Sequence, residues 1–328
     1  MPRLLITGGA GFVGINAASH FLSAGWSVTL LDNLSRAGSE RNLSWARAEF
    51  GPRLAFIRAD VRDPAALRGA VLGQDAILHL AAQVAVTTSI VDPITDFEVN
   101  AAGTVNLLEA VREQVPEAVL VYASTNKVYG QLIGVERPVD ENLPLDPHGP
   151  YGCSKGAADQ YVRDYARVFG LRTVVLRQSC IYGRHQYGTE DQGWLAHFVH
   201  SVLARRPITI FGDGHQVRDL LDVRDLCRLY AIVIDRIEDC RGQAFNIGGG
   251  PDNARSLLDA IDSIAQLTRV RARYSFADLR PGDQRYYVSD IARVGRVLGW
   301  QPQVGVQAGL EHLVEWAVDL PERLQLAS

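Results

Sequence analysis

Tyr151 and Lys155 stand four residues apart, directly after the pair Gly149-Pro150. Gly-Pro is well suited to starting a helix, and from there to Gly170 the chain reads as one helix. Residues four apart share a helical face, so an ammonium can sit near a phenol. A free tyrosine has a pKa of about 10, and a neighbouring cation favours the phenolate. A phenolate is a general base for an alcohol proton. With a hydride acceptor alongside, such a pair oxidises the alcohol. On spacing alone, an amphipathic helix that opens on an aromatic residue is the simpler reading. The start of the chain shifts that balance.

Leu4-Leu5-Ile6 reads as a buried strand, and Thr7 to Gly14 follows as a glycine-rich turn. A helix pattern then runs to Gly25. Gly9, Gly11 and Gly14 fit G-x-G-x-x-G, and Gly8, Gly11 and Gly14 fit G-x-x-G-x-x-G. Glycines there allow a tight turn and a close backbone approach to a pyrophosphate. The helix start supplies amides and a partial positive charge. A second strand, Ser27 to Leu31, ends at Asp32. An acid at that distance suits the ribose hydroxyls of NAD and repels the extra phosphate of NADP. Arg36 lies near and argues for NADP, but Asp32 is the better placed.

The alternation continues. Strand patterns at Leu54–Ala59, Ala76–Leu80, Val119–Ala123 and Thr173–Leu176 alternate with helix patterns at Asp92–Val115 and after Gly149. Strands separated by helices imply a doubly wound parallel α/β sheet, a Rossmann fold. The expected division is a dinucleotide domain over 1–178, rejoined by about 217–247, and a smaller, mainly helical substrate lobe over 179–216 and 248–328. That lobe includes a helix from Trp194 to Arg205, a strand from Ile208 to Phe211 and a turn at Pro281-Gly282.

Composition excludes several classes. Of 328 residues, 47% are apolar and 21% charged, and the net charge is −4. Such a chain carries no basic tract for nucleic acid or an anionic membrane. No apolar run reaches membrane-spanning length, and the run after Met1 is too short for a signal-peptide core. Cys153, Cys180, Cys227 and Cys240 are widely spaced, which suggests a reducing, cytoplasmic setting. His197 and His200 are three apart on a helix pattern without an evident third ligand, so no metal site is expected. His185 lies in the polar stretch Tyr182–Gln192, either near the substrate or without a role.

The chain resembles, over nearly its whole length, the extended short-chain dehydrogenase/reductases that act on sugar nucleotides. The residues that carry this are Gly8, Gly11 and Gly14; Asp60-Val61; His79-Leu80-Ala81-Ala82; Asn100; Thr125 with Val128-Tyr129-Gly130; Tyr151 with Lys155; and Arg280-Pro281-Gly282-Asp283. The resemblance implies a catalytic set of Thr125, Tyr151 and Lys155. It implies that Lys155 also binds the nicotinamide ribose of NAD. The implied cofactor contacts are Gly8, Gly11, Phe12, Val13, Gly14, Asp32, Asn33, Asp60, Val61, Leu80, Ala81, Ala82, Gln83 and Asn100, besides Tyr151 and Lys155. The implied nucleotide-sugar contacts are Gln83, Thr125, Asn126, Lys127, Ser179, Cys180, Thr209, Ile210, Phe211, Arg218, Arg280 and Asp283. Arginine is the natural bidentate partner of a diphosphate, which suits Arg218 and Arg280. Cys180 departs from the family's usual Asn.

In the dehydratases of this family, Asp and Glu follow the Thr and act as acid and base. Here Asn126 and Lys127 occupy those positions, which disfavours dehydration. Thr125–Gly130, Tyr151–Gly156 and Asp191-Gln192-Gly193-Trp194 look like the family's CDP-sugar 2-epimerases. The implied reaction is inversion at carbon 2 of a CDP-linked sugar of the paratose, tyvelose or glucose type, through a 2-keto intermediate. Alternatives are a 4-epimerase of UDP- or GDP-sugars, a net oxidoreductase, and a dinucleotide sensor without catalysis. The resemblance implies a homodimer or homotetramer paired through the helices Asp92–Val115 and Tyr151–Phe169.

Overall fold

The computed structural model describes residues 1–280 and 282–320. Pro281 of the expected turn and the end of the expected lobe, 321–328, lie outside the described residues. β1 (Arg3–Thr7) runs into the glycine turn, and α1 (Phe12–Ser23) returns to β2 (Ser27–Asp32). α2 (Ser39–Phe50) leads to β3 (Leu54–Arg58), and α3 (Pro64–Val71) to β4 (Ala76–His79). Next come α4 (Val86–Val91), α5 (Pro93–Phe97), a π-helical turn (Glu98–Ala102) and α6 (Gly103–Gln114), then β5 (Val119–Thr125). α7 (Gly149–Val168) precedes β6 (Arg172–Gln178).

The second half continues through β7 (Cys180–Tyr182), α8 (Trp194–Leu203), β8 (Ile208–Phe211), β9 (Val217–Asp222), α9 (Val223–Asp235), α10 (Ile237–Cys240) and β10 (Ala244–Ile247). It ends with β11 (Ala254–Ser256), α11 (Leu257–Thr268), β12 (Tyr274–Ala277), β13 (Tyr286–Tyr287), α12 (Ala292–Leu298) and α13 (Val306–Val318).

Seven strands form one parallel sheet in the order β10-β6-β5-β4-β1-β2-β3. The order reverses between β1 and β4, the crevice where open α/β sheets bind ligands. Side chains alternate across a strand. Leu4 and Ile6 therefore join a core with Phe21, Leu226 and Tyr230 on one face, while Leu5 joins Leu107, Leu120 and Val162 on the other. Both faces are covered, as a parallel sheet requires. A third core, around Phe198, Ile208, Ile261 and Leu310, belongs to the second half.

The helix expected over Asp92–Val115 forms over Pro93–Gln114, with a π-helical turn inside it. Asp92 caps α5 by accepting from Thr95 N at 3.0 Å, and the π-helical turn then adds a residue before α6. Such turns re-aim side chains at functional sites, and here Asn100 is fully buried. The tail, expected to be mainly helical, also contributes β11, β12 and β13. β11 and β13 flank β9, and β12 pairs with β8. These short strands are set by pairing with distant partners, which the local pattern does not reveal.

Candidate functional site

Three contiguous cavities lie along the carboxyl ends of the sheet. The first is lined by Gly8, Gly11, Phe12, Val13, Gly14, Asp32, Asn33, Asp60, Val61 and Leu80 to Gln83. A Cβ on Gly8, which has φ +67°, would meet the Ala81 amide nitrogen at 2.7 Å. A Cβ on Gly14 would meet the Gly8 carbonyl at 2.5 Å. The turn is therefore a cradle that side chains would fill, and α1 starts beneath it. Asp32 accepts from the amides of Ala10 at 3.0 Å and Leu34 at 2.8 Å, which fix its carboxylate at the end of β2. Burial pushes its pKa up against those bonds. Asn33 donates to Asp60 at 2.9 Å, and Arg62 holds the Asp60 pKa down at about 2. These groups fit NAD: an open pyrophosphate cradle, an acid for ribose hydroxyls and apolar walls.

Of the other expected cofactor contacts, Tyr151 and Lys155 line the second cavity, and Asn100 lines none of the three. Its amide donates to the Gln83 carbonyl (3.0 Å), Asp96 Oδ1 (3.1 Å) and Ser154 Oγ (3.1 Å), and its oxygen accepts from Gln83 N (2.9 Å). It ties the cleft floor to α7 instead. Gln83, expected also at the sugar, lines only the cofactor cleft.

The second cavity joins Thr125, Asn126, Lys127, Tyr151, Lys155, Ser179 and Cys180. β5 delivers Thr125 at its carboxyl end, and α7 presents Tyr151 and Lys155 to it. The expected ammonium-to-phenol proximity does not set the phenol's pKa here. Lys155 Nζ donates to the Ala123 carbonyl at 2.6 Å and lies 4.3 Å from the centre of the Tyr122 ring. Burial raises the Tyr151 pKa to about 12, and the groups opposing it are the Thr125 hydroxyl and the more distant Arg36 charge. Burial brings Lys155 down to about 7, against the pull of Asp159 and Asp96. Sequence spacing places both residues on one face, but the carbonyl at the end of β5 turns the lysine.

Below an ordinary value of 10.5 and above about 7, Lys155 is neutral in the fold but protonated when unfolded. The unfolded chain then holds more protons, so this group's contribution to stability rises with pH across that window. In ligand-free protein, Lys155→Met is expected to flatten the rise. Denaturant midpoints on either side of the window measure it, and an unchanged slope would contradict the assignment.

The third cavity shares Asn126, Lys127, Ser179 and Cys180 with the second, and adds Thr209, Ile210, Phe211, Arg218, Arg280 and Asp283. Arg280 stacks over the Phe211 ring at 3.7 Å. Asp283, expected among the nucleotide-sugar contacts, is held by Arg218 at 2.7 Å and Lys127 at 3.4 Å. Asn126 donates to Gln284 Oε1 at 3.0 Å, so its amide braces the loop after Arg280. Cys180 accepts from Trp194 Nε1 at 3.4 Å. His185 faces the cofactor cleft rather than the sugar cavity, and its ring lies 4.1 Å from that of Trp45. His200 Nε2 meets the Gln186 carbonyl at 3.1 Å, and burial lowers the pKa of both His197 and His200.

Sequence reasoning missed the buried supports. Asp96 takes Ser154 Oγ at 2.5 Å, and Asp159 takes Arg177 at 2.8 Å and 3.0 Å. Ser154 and Asp159 are on α7, so both contacts fix its register. Lone polar residues in a helix pattern look solvent-facing, so nothing local marks these. One further signal is present in the sequence: Lys127 and Lys155 are the chain's only lysines.

The model of the NAD dependent epimerase/dehydratase family matches residues 4–248. The chain is 42% identical to the CDP-paratose 2-epimerase of Salmonella typhi, over 96% of this chain and 98% of that one. It is 35% identical to the UDP-glucose 4-epimerase of Mycolicibacterium smegmatis, over 96% and 98%. The UDP-glucose 4-epimerase of Thermus thermophilus, solved with NAD, superposes with a TM-score of 0.87 at 31% identity, over 97% and 100%. Among the described residues no helix is long and apolar enough to cross a membrane. A family match over three quarters of the sequence, on a sheet and cradle built for a dinucleotide, makes this chain a member of the NAD-dependent epimerase/dehydratase family.

Proposed function

We propose that the protein is an epimerase that inverts carbon 2 of a CDP-linked sugar of the paratose, tyvelose or glucose type. The observation that carries this is the convergence of Thr125, Tyr151 and Lys155 on a cavity flanked by a cofactor cleft and a cationic pocket. The likeness to a CDP-paratose 2-epimerase supports the base and the carbon. The Asn126-Lys127 pair speaks against dehydration, because an amide and an ammonium cannot act as the carboxylate acid and base of water elimination.

NAD, when bound, supplies the acceptor and then the donor of the hydride at carbon 2. Tyr151 takes the proton from the 2-hydroxyl and later returns it to the same oxygen. Thr125 hydrogen-bonds that oxygen and holds the phenol's pKa down. Lys155 anchors the nicotinamide ribose. Arg218 and Arg280 hold the diphosphate and base while the sugar turns to present its other face. Anchoring by the nucleotide beside a free sugar is what such a turn requires.

Incubation with CDP-paratose, CDP-glucose, UDP-glucose and GDP-mannose, with NMR of each product, tests the reading. Inversion at carbon 2 of a CDP-sugar is expected. Inversion at carbon 4 of a UDP- or GDP-sugar would replace it. The same reading takes the protein as a homodimer or homotetramer through α5 to α7, where Ile94, Phe97, Tyr161 and Phe169 are exposed. Sedimentation as monomer at micromolar concentration would remove that assembly.

A further inference from the structure

Lysine and arginine together number 33, and only Lys127 and Lys155 are lysines. Both line the cavity that contains Tyr151. At every other basic position the chain uses arginine, whose guanidinium is a broad planar fork. Lysine offers a compact point charge on a thin stem. In such a chain a lysine marks a place where the compact ammonium matters.

Lys127 sits in the short 3-10 turn Asn126–Tyr129 that follows β5, and its side chain is 21% exposed. It lines both the sugar-side cavity and the one with Arg218, so it stands at their junction. Its ammonium donates to the Gly282 carbonyl at 3.2 Å and to Asp283 Oδ1 at 3.4 Å. An ammonium has three donors, and the third has no partner among the described residues. Arg218 shares the same carboxylate at 2.7 Å. Two cations on one carboxylate leave a positive charge over, where burial already pulls the lysine's pKa below its ordinary value. The other two acids of that cavity, Glu190 and Asp191, lie 3.7 Å and 3.5 Å from Arg280.

We propose that Lys127 donates its third hydrogen bond to the oxygen on carbon 2 of the bound sugar, and that this contact selects carbon 2 for oxidation. The proposal deepens the 2-epimerase reading and rests on it. Its warrant is position. Carbon 2 is the ring neighbour of the anomeric carbon that carries the diphosphate. A donor at the boundary between the nucleotide and sugar cavities reaches its oxygen, whereas the carbon 4 oxygen lies across the ring. In the oxidation step the O–H proton goes to Tyr151, the hydrogen on carbon 2 leaves together with the electron pair of its C–H bond, both of which bound NAD would accept, and a carbonyl forms at carbon 2. In the return step that oxygen gains negative charge before Tyr151 reprotonates it. A fixed donor aimed at such an oxygen contributes ~10²–10³-fold to kcat. A guanidinium at 127 would instead favour the bidentate grip of a phosphate.

With two lysines, [13Cε]lysine labelling of the NAD-loaded enzyme gives two side-chain signals, assigned with Lys127→Arg. The Lys127 signal is expected to move on adding CDP-glucose, and by more than on adding CDP. Lys127→Met is expected to lower kcat by ~10²-fold or more with CDP affinity largely kept, and Lys127→Arg to keep affinity without restoring kcat. A Lys127 signal that responds equally to CDP and CDP-glucose would overturn the proposal. So would a Lys127→Met enzyme with raised KM and unchanged kcat, since that describes a phosphate ligand. Wild-type inversion at carbon 2 with either result sinks this proposal alone. Wild-type inversion at carbon 4 sinks the reading beneath it as well.

Discussion

Tyr151→Phe is expected to lower kcat by ~10²–10⁴-fold, the usual contribution of a positioned general base, while CDP and NAD still bind. The substitution removes one hydroxyl and keeps the ring that packs at the start of α7. The other titratable groups of the second cavity are engaged: Asp191 lies 3.5 Å from Arg280, and Lys127 lies 3.4 Å from Asp283. Lys155 is turned to the Ala123 carbonyl, and Asn126 is engaged with Gln284. The phenol's pKa, about 12 in the ligand-free fold, is held from rising further chiefly by the Thr125 hydroxyl. Removing that hydroxyl with Thr125→Val raises the phenol's pKa and shrinks the phenolate fraction. The acid limb of the kcat profile should therefore move to higher pH. A Tyr151→Phe enzyme within a few-fold of wild type would mean that another group removes the proton, and would overturn the role of Tyr151.

The largest effect on stability is expected at Arg177. Its guanidinium takes both oxygens of Asp159, and the pair is 3% and 0% exposed. The Tyr129 hydroxyl accepts from Arg177 at 2.9 Å and donates to Asn246 at 2.7 Å, so the network joins α7, β6 and β10. Breaking a buried pair by removing one partner costs about 3–5 kcal/mol, because a buried charge is left uncompensated. Arg177→Met should lose that much in urea unfolding. Replacing both partners, Asp159→Leu with Arg177→Met, should recover much of it. The single change should also raise the Lys155 pKa, since the Asp159 charge would then act on it unopposed. A loss below ~1 kcal/mol would mean that water reaches the pair.

Legibility in the sequence followed locality. The strand, glycine turn, helix, strand and Asp32 at the start are each marked by residues within a few positions of one another, and the structure forms them with shifts of a residue or two. α7 is legible from Gly149-Pro150, and the strands at Ile208–Phe211 and Ala244–Ile247 from short apolar runs. What does not show is non-local. α2 carries few apolar positions, and α3 is only 8 residues long, so neither marks a face plainly. β9, β11 and β13 exist by pairing across more than thirty residues of chain. The π-helical turn at Glu98–Ala102 goes with the bonds that Asn100 makes with Gln83 and Ser154, and no breaker residue marks it. In the site, residue types and positions along the sheet edge are readable. The direction of Lys155 and the engagement of Asn126 and Asp283 are not, because each depends on a partner brought in by another element.

The account turns on a hydrogen that leaves carbon 2 of the bound sugar and comes back to the same carbon. A CDP-sugar carrying deuterium at carbon 2, epimerised to equilibrium in ordinary water and read by NMR, tests this directly. The account predicts that the product keeps its deuterium at carbon 2 with inverted configuration. Product carrying solvent hydrogen there would mean that the carbon was deprotonated instead, and would contradict it.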